Sequence, residues 1–142
     1  LQSGADYAIF GEKDYQQLLI ITSLVKDLDI PCQIVPINTV RDNNGLAISS
    51  RNQYLNPKQI NIANNINIIM TEAAKNFYNV DINETISFVR KSIEKVGINK
   101  IDYIEIRDNH NLENISNNNK SNARLFIAVY IDEIRLIDNI KL

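Results

Sequence analysis

The sequence predicts an α/β segment followed by an α+β segment, and three observations carry that expectation. Residues 7–35 follow a strand–helix–strand pattern of about the 30 residues that a βαβ unit needs. Two stretches of helical periodicity, each with its own start or stop signal, come next. From Ile101 onward the chain is dominated by strand-forming runs, with a tight turn at Asp132-Glu133.

Residues 7–10, Tyr-Ala-Ile-Phe, read as a short buried strand. Asp14 then precedes a helical pattern that sets Tyr15, Leu18, Leu19, Thr22, Val25 and Leu28 on one broad face. Ile30-Pro31 ends it, because proline cannot continue a helix and biases the residue before it toward extended backbone. Residues 32–35 form the second strand, with Cys32 as a buried strand residue, and the two strands are expected to pair in parallel through a right-handed crossover. A core strand this near residue 1, with nothing before it to pair with, predicts that the chain is a fragment.

Residues 38–52 read as loop, with Asn43-Asn44-Gly45 as a turn signal. Asn56 is placed to cap a helix with Pro57 at its first position, and Ile62, Ile66, Ile69, Ala73 and Phe77 recur along it at helical spacing. A second helix is expected over 83–96, with Ile86, Val89, Ile93 and Val96 inward and Gly97 as its stop. Three strands follow at 101–107, 123–130 and 134–137, on which Tyr103, Phe126 and Tyr130 serve as core or cross-strand partners. The polar run 117–122 is expected to be a mobile loop. The domain boundary falls near Arg51, giving domains 1–51 and 52–142.

At 142 residues the chain is one domain, or a small domain with a piece of another. Apolar residues at 44% suffice for a core, and a net charge of −2 argues against a nucleic-acid partner, whose footprint is a basic face. Cys32 has no second cysteine to pair with, and His110 is the one histidine, in a polar strand exit read as exposed loop. One Cys and one His supply neither a zinc site nor a Cys/His nucleophile pair, and Asp132-Glu133 is a hairpin turn rather than a catalytic carboxylate pair. No run approaches the roughly 18 apolar residues of a membrane span, and the first residues lack a signal-peptide pattern. The expectation is a cytoplasmic protein without a membrane partner.

Two polar clusters beside apolar runs carry the chemistry. In Phe10-Gly11-Glu12-Lys13-Asp14-Tyr15-Gln16-Gln17, a strand turns into a helix at the carboxyl edge of a parallel pair, where open α/β folds bind ligands. Gly11 permits close backbone approach, Lys13 offers a point charge for phosphate, and Asp14 can accept from ribose hydroxyls. Gln17, one turn on, could present its amide to the same cavity. The same residues also describe a solvated turn with a capping aspartate. In Gly45-Leu46-Ala47-Ile48-Ser49-Ser50-Arg51-Asn52, a glycine turn leads to two hydroxyls and a guanidinium fork, a set suited to polyphosphate oxygens and equally to a surface loop. Read from the residues alone, the two clusters reach as far as a nucleotide or phosphate site.

Together these clusters, with Asp42-x-x-Gly-Leu-Ala-Ile-Ser-Ser-Arg-Asn-x-Tyr-Leu55 in full and Arg-Leu-Ile-Asp-Asn at 135–139, resemble the pantothenate synthetase (pantoate–β-alanine ligase) family along essentially the whole chain. The resemblance implies the C-terminal part of a Rossmann-like nucleotidyltransferase domain followed by a small lid domain. It implies a two-step reaction: ATP and pantoate give pantoyl adenylate and pyrophosphate, then β-alanine displaces AMP to give pantothenate. By matching position, Gly11, Glu12, Lys13 and Asp14 contact ATP, Val40 lies against adenine, and Gln17 holds pantoate. Ile48, Ser49, Ser50 and Arg51 match the family's version of the KMSKS loop over the phosphates, and Lys13, Ser49, Ser50 and Arg51 are the implied catalytic residues. A homodimeric parent and use of Mg²⁺ are implied as well. The family's His-x-Gly-His motif, a second pantoate glutamine and the acidic Mg²⁺ ligands are not in this sequence, so the fragment is expected to be inactive alone. Two alternatives stand beside this reading: another His-x-Gly-His nucleotidyltransferase, and a non-catalytic lid module.

Overall fold

The computed structural model describes residues 4–142. They form two compact units, one up to Val40 and one from Arg41 to Leu142.

In the first unit, β1 (Tyr7–Gly11) leads through one 3-10 turn, Glu12–Asp14, into α1 (Tyr15–Asp27), and β2 (Gln33–Ile37) returns beside β1. The strands pair in parallel from Tyr7↔Gln33 to Gly11↔Ile37, so the expected βαβ unit is present. Ala8, Phe10 and Ile34 face Ile21 and Val25 of the helix around a common cavity. The strand expected to be buried is covered on that side alone. Tyr7 and Ile9 are each 64% exposed, because successive side chains point to opposite faces and among the described residues of the unit only α1 covers the sheet. Tyr15 and Leu18 are the buried side chains of α1, whereas Leu28, expected inward, is exposed. The helix also ends earlier than Ile30-Pro31. Leu28 N–H bonds Leu24 O and Ile30 N–H bonds Val25 O around Asp29, which takes a left-handed φ of +48°. Cys32 lies just before β2 and is half-buried, not a buried strand residue.

The second unit begins at Arg41, whereas the sequence reading drew its boundary near Arg51. Leu46 and Leu55 pack into this unit's core, which explains why the intervening loop belongs to it. Asn56 caps α2 (Pro57–Asn76): its side chain accepts N–H bonds from Lys58 and Gln59 at 3.0 Å each, and the Gln59 side chain accepts the Asn56 N–H at 2.8 Å. Such a reciprocal capping box satisfies donors that the first helical turn leaves orphaned. Asp81 and Glu84 repeat it at α3 (Ile82–Lys95). β3 (Lys100–Asp108), β4 (Ala123–Ile131) and β5 (Ile134–Lys141) then form an antiparallel sheet in that order. β4 and β5 are joined at Asp132, whose φ is +51°.

Helices and sheet enclose one core, in which Met70, Phe77, Val89, Ile93, Leu125, Ile127 and Val129 are fully buried. β5 runs beyond the expected end at Ile137, pairing from Ile131↔Ile134 to Arg124↔Lys141. Its polar Asp138 and Asn139, beyond the expected strand, are buried and bonded. On the sheet's other face, the Lys100 ammonium sits 4.2 Å from the centre of the cross-strand Tyr130 ring. Arg135 bonds Asp102 at 2.8 and 3.0 Å, and that bond pushes the guanidinium pKa up from its ordinary value against the opposing pull of burial. The expected mobile run 117–122 is tied at several points. Asn117 accepts the Ile82 N–H at 2.9 Å, Lys120 donates to Phe77 O at 3.1 Å and also to Val80 O, and Ser116 bridges Asn119.

Candidate functional site

The first cluster sits where β1 hands over to α1. Gly11 closes the strand with φ −74°, and a Cβ built there would meet nothing within 4 Å, so the space in front of it is open. Glu12, Lys13 and Asp14 make the 3-10 turn that brings the chain onto the helix axis. The Lys13 side chain is only 16% exposed, and its ammonium lies 4.0 Å from the Asp14 carboxylate. Asp14 makes no capping bond to α1, so the capping-aspartate reading of this turn does not hold. Gln17 is exposed within the first turn of α1, on the same end of the helix. Backbone N–H groups of a first helical turn have no intrahelical partner and carry the positive end of the helix dipole, which favours an anion there. Val40, the last residue of this unit, is exposed.

The second cluster is built on the second unit. Asp42 N–H bonds Leu46 O at 2.9 Å and Gly45 N–H bonds Asp42 O at 3.0 Å, while Asp42 Oδ1 accepts N–H bonds from Asn44 at 2.8 Å and Leu46 at 2.9 Å. This turn needs Gly45. Its φ is +87°, and a Cβ there would stand 2.7 Å from Asn67 Nδ2 of α2. Leu46 and Ala47 are then buried and Ile48 is exposed. Ser49 Oγ donates to Asn52 Oδ1 at 2.7 Å, and Asn52 Nδ2 donates to Ala47 O at 3.1 Å. Ser50 and Arg51 are exposed at the start of the 3-10 turn Ser50–Tyr54, and among the described residues neither side chain has a hydrogen bond or ion pair. The Ser50 hydroxyl and the Arg51 guanidinium, unpartnered among the described residues, are thus presented by a loop whose other side is packed into a core, with the bonded Ser49 hydroxyl beside them.

His110 is exposed, and its N–H is taken by Asp108 Oδ1 at 2.7 Å in the strand exit. Among the described residues no group of three or more His, Cys, Asp or Glu side chains is gathered as a metal site. No helix among them is long and apolar enough to cross a membrane.

Sequence reasoning missed Arg41. It forms a two-pronged bond with Asp138, Nη1 to Oδ2 at 2.6 Å and Nη2 to Oδ1 at 2.9 Å. The signal was in the strand pattern. Leu136, Asp138 and Ile140 share one face, and a carboxylate on an otherwise apolar, core-directed face requires a partner cation.

The fold and its polar clusters define a class: an α/β unit with charged residues at the carboxyl edge of its parallel strands, continued by an α+β unit. The family model for pantoate–β-alanine ligase matches residues 2–141. A pantothenate synthetase from Ruegeria sp. (strain TM1040) is 40% identical over 99% of this chain and 50% of its own length. One from Akkermansia muciniphila is 43% identical over 95% of this chain and 48% of its own. The crystal structure of pantothenate synthetase from Thermus thermophilus superposes with a TM-score of 0.88 at 34% identity, over 96% of this chain and 49% of that one. The Francisella tularensis pantoate–β-alanine ligase, crystallised in complex with β,γ-ATP and β-alanine, has a TM-score of 0.65 at 33% identity, over 96% and 43%. The chain belongs to the pantoate–β-alanine ligase family. It spans about half the length of the curated relatives it matches.

Proposed function

We propose that the protein containing this chain ligates pantoate to β-alanine at the expense of ATP, through pantoyl adenylate, releasing pyrophosphate and then AMP. Family membership over residues 2–141 is the observation that carries this reading. ATP and β-alanine are the ligands named for the Francisella relative, which supports the same two substrates here.

Within this chain, residues 1–51 supply ATP contacts and residues 52–142 the lid. Gly11, Glu12, Lys13 and Asp14 bind ATP, with the open space before Gly11 admitting the nucleotide and Asp14 accepting from ribose. Lys13, held by its partly buried stem, neutralises phosphate charge as pyrophosphate departs. Such preorganised cations act most where charge develops in the transition state. Gln17 holds pantoate, and Val40 and Ile48 offer exposed apolar surface to adenine and the loop's ligand. Ser49, Ser50 and Arg51 donate to polyphosphate oxygens, for which the exposed Arg51 fork has the matching geometry. The remaining catalytic groups belong to the half of the relatives' length outside this chain, so the chain alone does not turn over. The parent acts as a homodimer in the cytoplasm.

Incubating the full-length protein with ATP, pantoate, β-alanine and Mg²⁺ tests the reading. Pantothenate and AMP in equal amounts are expected. ADP in place of AMP, or no pantothenate, overturns it.

A further inference from the structure

The loop that bears Ser49, Ser50 and Arg51 is anchored from β5 by a partly buried ion pair. Asp138 is 6% exposed, between Leu136 and Ile140 on the core-directed face. Its carboxylate accepts three hydrogen bonds: the two from Arg41, at 2.6 and 2.9 Å, and one from the Asn139 N–H at 2.8 Å. Arg41 is the first residue of the loop, and its Nη1 also donates to Gly45 O at 3.0 Å. Arg41 further pairs with Ala47 as an antiparallel bridge. Asn52 continues the connection, holding Ala47 O through Nδ2 and Ser49 Oγ through Oδ1. One chain of bonds therefore runs from the sheet to the first hydroxyl of the phosphate-competent cluster.

An Arg–carboxylate fork fixes direction as well as distance, because two parallel bonds leave little angular freedom. A partly buried pair of this kind is poor evidence of added stability, since desolvation offsets most of its attraction. What such a pair does supply is location. We propose that Arg41 and Asp138, with Asn52, are positioning residues that set the place of Ser49, Ser50 and Arg51 for polyphosphate without touching substrate. Within the run at 135–139, Asp138 thereby gains a role in the adenylation step beyond closing the C-terminal hairpin. The functional half of this inference rests on the ligase reading above.

The test compares Asp138→Asn, which keeps the shape and loses the charge, with wild type in the full-length protein. Arg135→Ala serves as control, since it removes an ion pair from the same strand that does not reach the loop. Amide exchange at Gly45 and Leu46 is expected to quicken at least tenfold in Asp138→Asn and to stay unchanged in Arg135→Ala. Single-turnover pyrophosphate release should slow by up to ~10²-fold, the cost of about 1 Å of misplacement, with the KM for pantoate unaltered. Arg41→Lys, which keeps the charge but not the fork, should fall between the two, and it replaces Asp138→Asn if that variant does not fold. Loop exchange equal to wild type overturns the anchoring. Loosened exchange with pyrophosphate release within twofold of wild type overturns the link to the reaction. If the wild-type protein itself releases no pyrophosphate from ATP and pantoate, the ligase reading fails, while the exchange comparison still decides whether the fork holds the loop.

Discussion

Replacing Gly45 by Ala puts two separable penalties on the turn at the head of the Ser49–Arg51 loop. The first is backbone strain: at φ +87° a Cβ crowds its own carbonyl, which costs about 1–2 kcal/mol for an L-residue. The second is local. The new methyl would stand 2.7 Å from Asn67 Nδ2, so the amide must leave its rotamer, at about 0.5–1.5 kcal/mol. Against these, alanine lowers the entropy of the unfolded chain and returns about 0.4–1 kcal/mol. The balance is a loss of about 2 kcal/mol from the second unit. Native-state hydrogen exchange at the buried β4 amides of Leu125, Ile127 and Val129 reads that loss where the core opens last. The double variant Gly45→Ala/Asn67→Ala should recover the steric part and leave the backbone part, a coupling of about 1 kcal/mol in a double-mutant cycle. A loss below about 0.5 kcal/mol refutes the strained turn, as does full recovery on removing the Asn67 amide.

Three further outcomes follow from the site. Lys13→Ala in the full-length protein should slow pyrophosphate release by the equivalent of about 2.7–4 kcal/mol while pantoate binding changes little, as single-turnover kinetics will show. Gln17→Ala should raise the KM for pantoate with ATP affinity kept, and the reverse pattern would give the residue a different ligand. The chain of residues 1–142 alone, assayed for pantothenate and AMP with all substrates and Mg²⁺, should yield no turnover, because catalytic groups that act as a unit lose nearly everything when half are removed.

The elements that carry their own local signals were legible in the sequence. Asn56-Pro57 announced the start of α2 and Gly97 the end of α3, and the pairing of β4 with β5 followed from strand runs around a two-residue turn. What escaped depends on contacts distant in sequence. Asp138 fell outside the expected strand because its partner, Arg41, lies far away at the start of a loop. The polar run 117–122 looked mobile because its bonds to Phe77, Val80 and Ile82 come from another element. Tyr7 and Ile9 were read as buried from their composition, yet one face of the β1–β2 sheet is uncovered among the described residues. The order and spacing of the two polar clusters led to the family, which the match over residues 2–141 shows. Which of their side chains are engaged within the fold was not legible: Ser49 is bonded to Asn52, whereas Ser50 and Arg51 have no side-chain partner among the described residues.

The most direct measurement of the proposed chemistry follows oxygen rather than product alone. Pantoate labelled with ¹⁸O in its carboxylate is turned over by the full-length protein with ATP and β-alanine, and the nucleotide product is weighed by mass spectrometry. Attack of the carboxylate on the α-phosphorus, followed by amine displacement, leaves one labelled oxygen in AMP for each pantothenate formed. That is the expected result. Label in orthophosphate with ADP as the nucleotide product would place the attack at the γ-phosphorus and contradict the adenylate, and turnover of ATP without pantothenate would contradict the ligase.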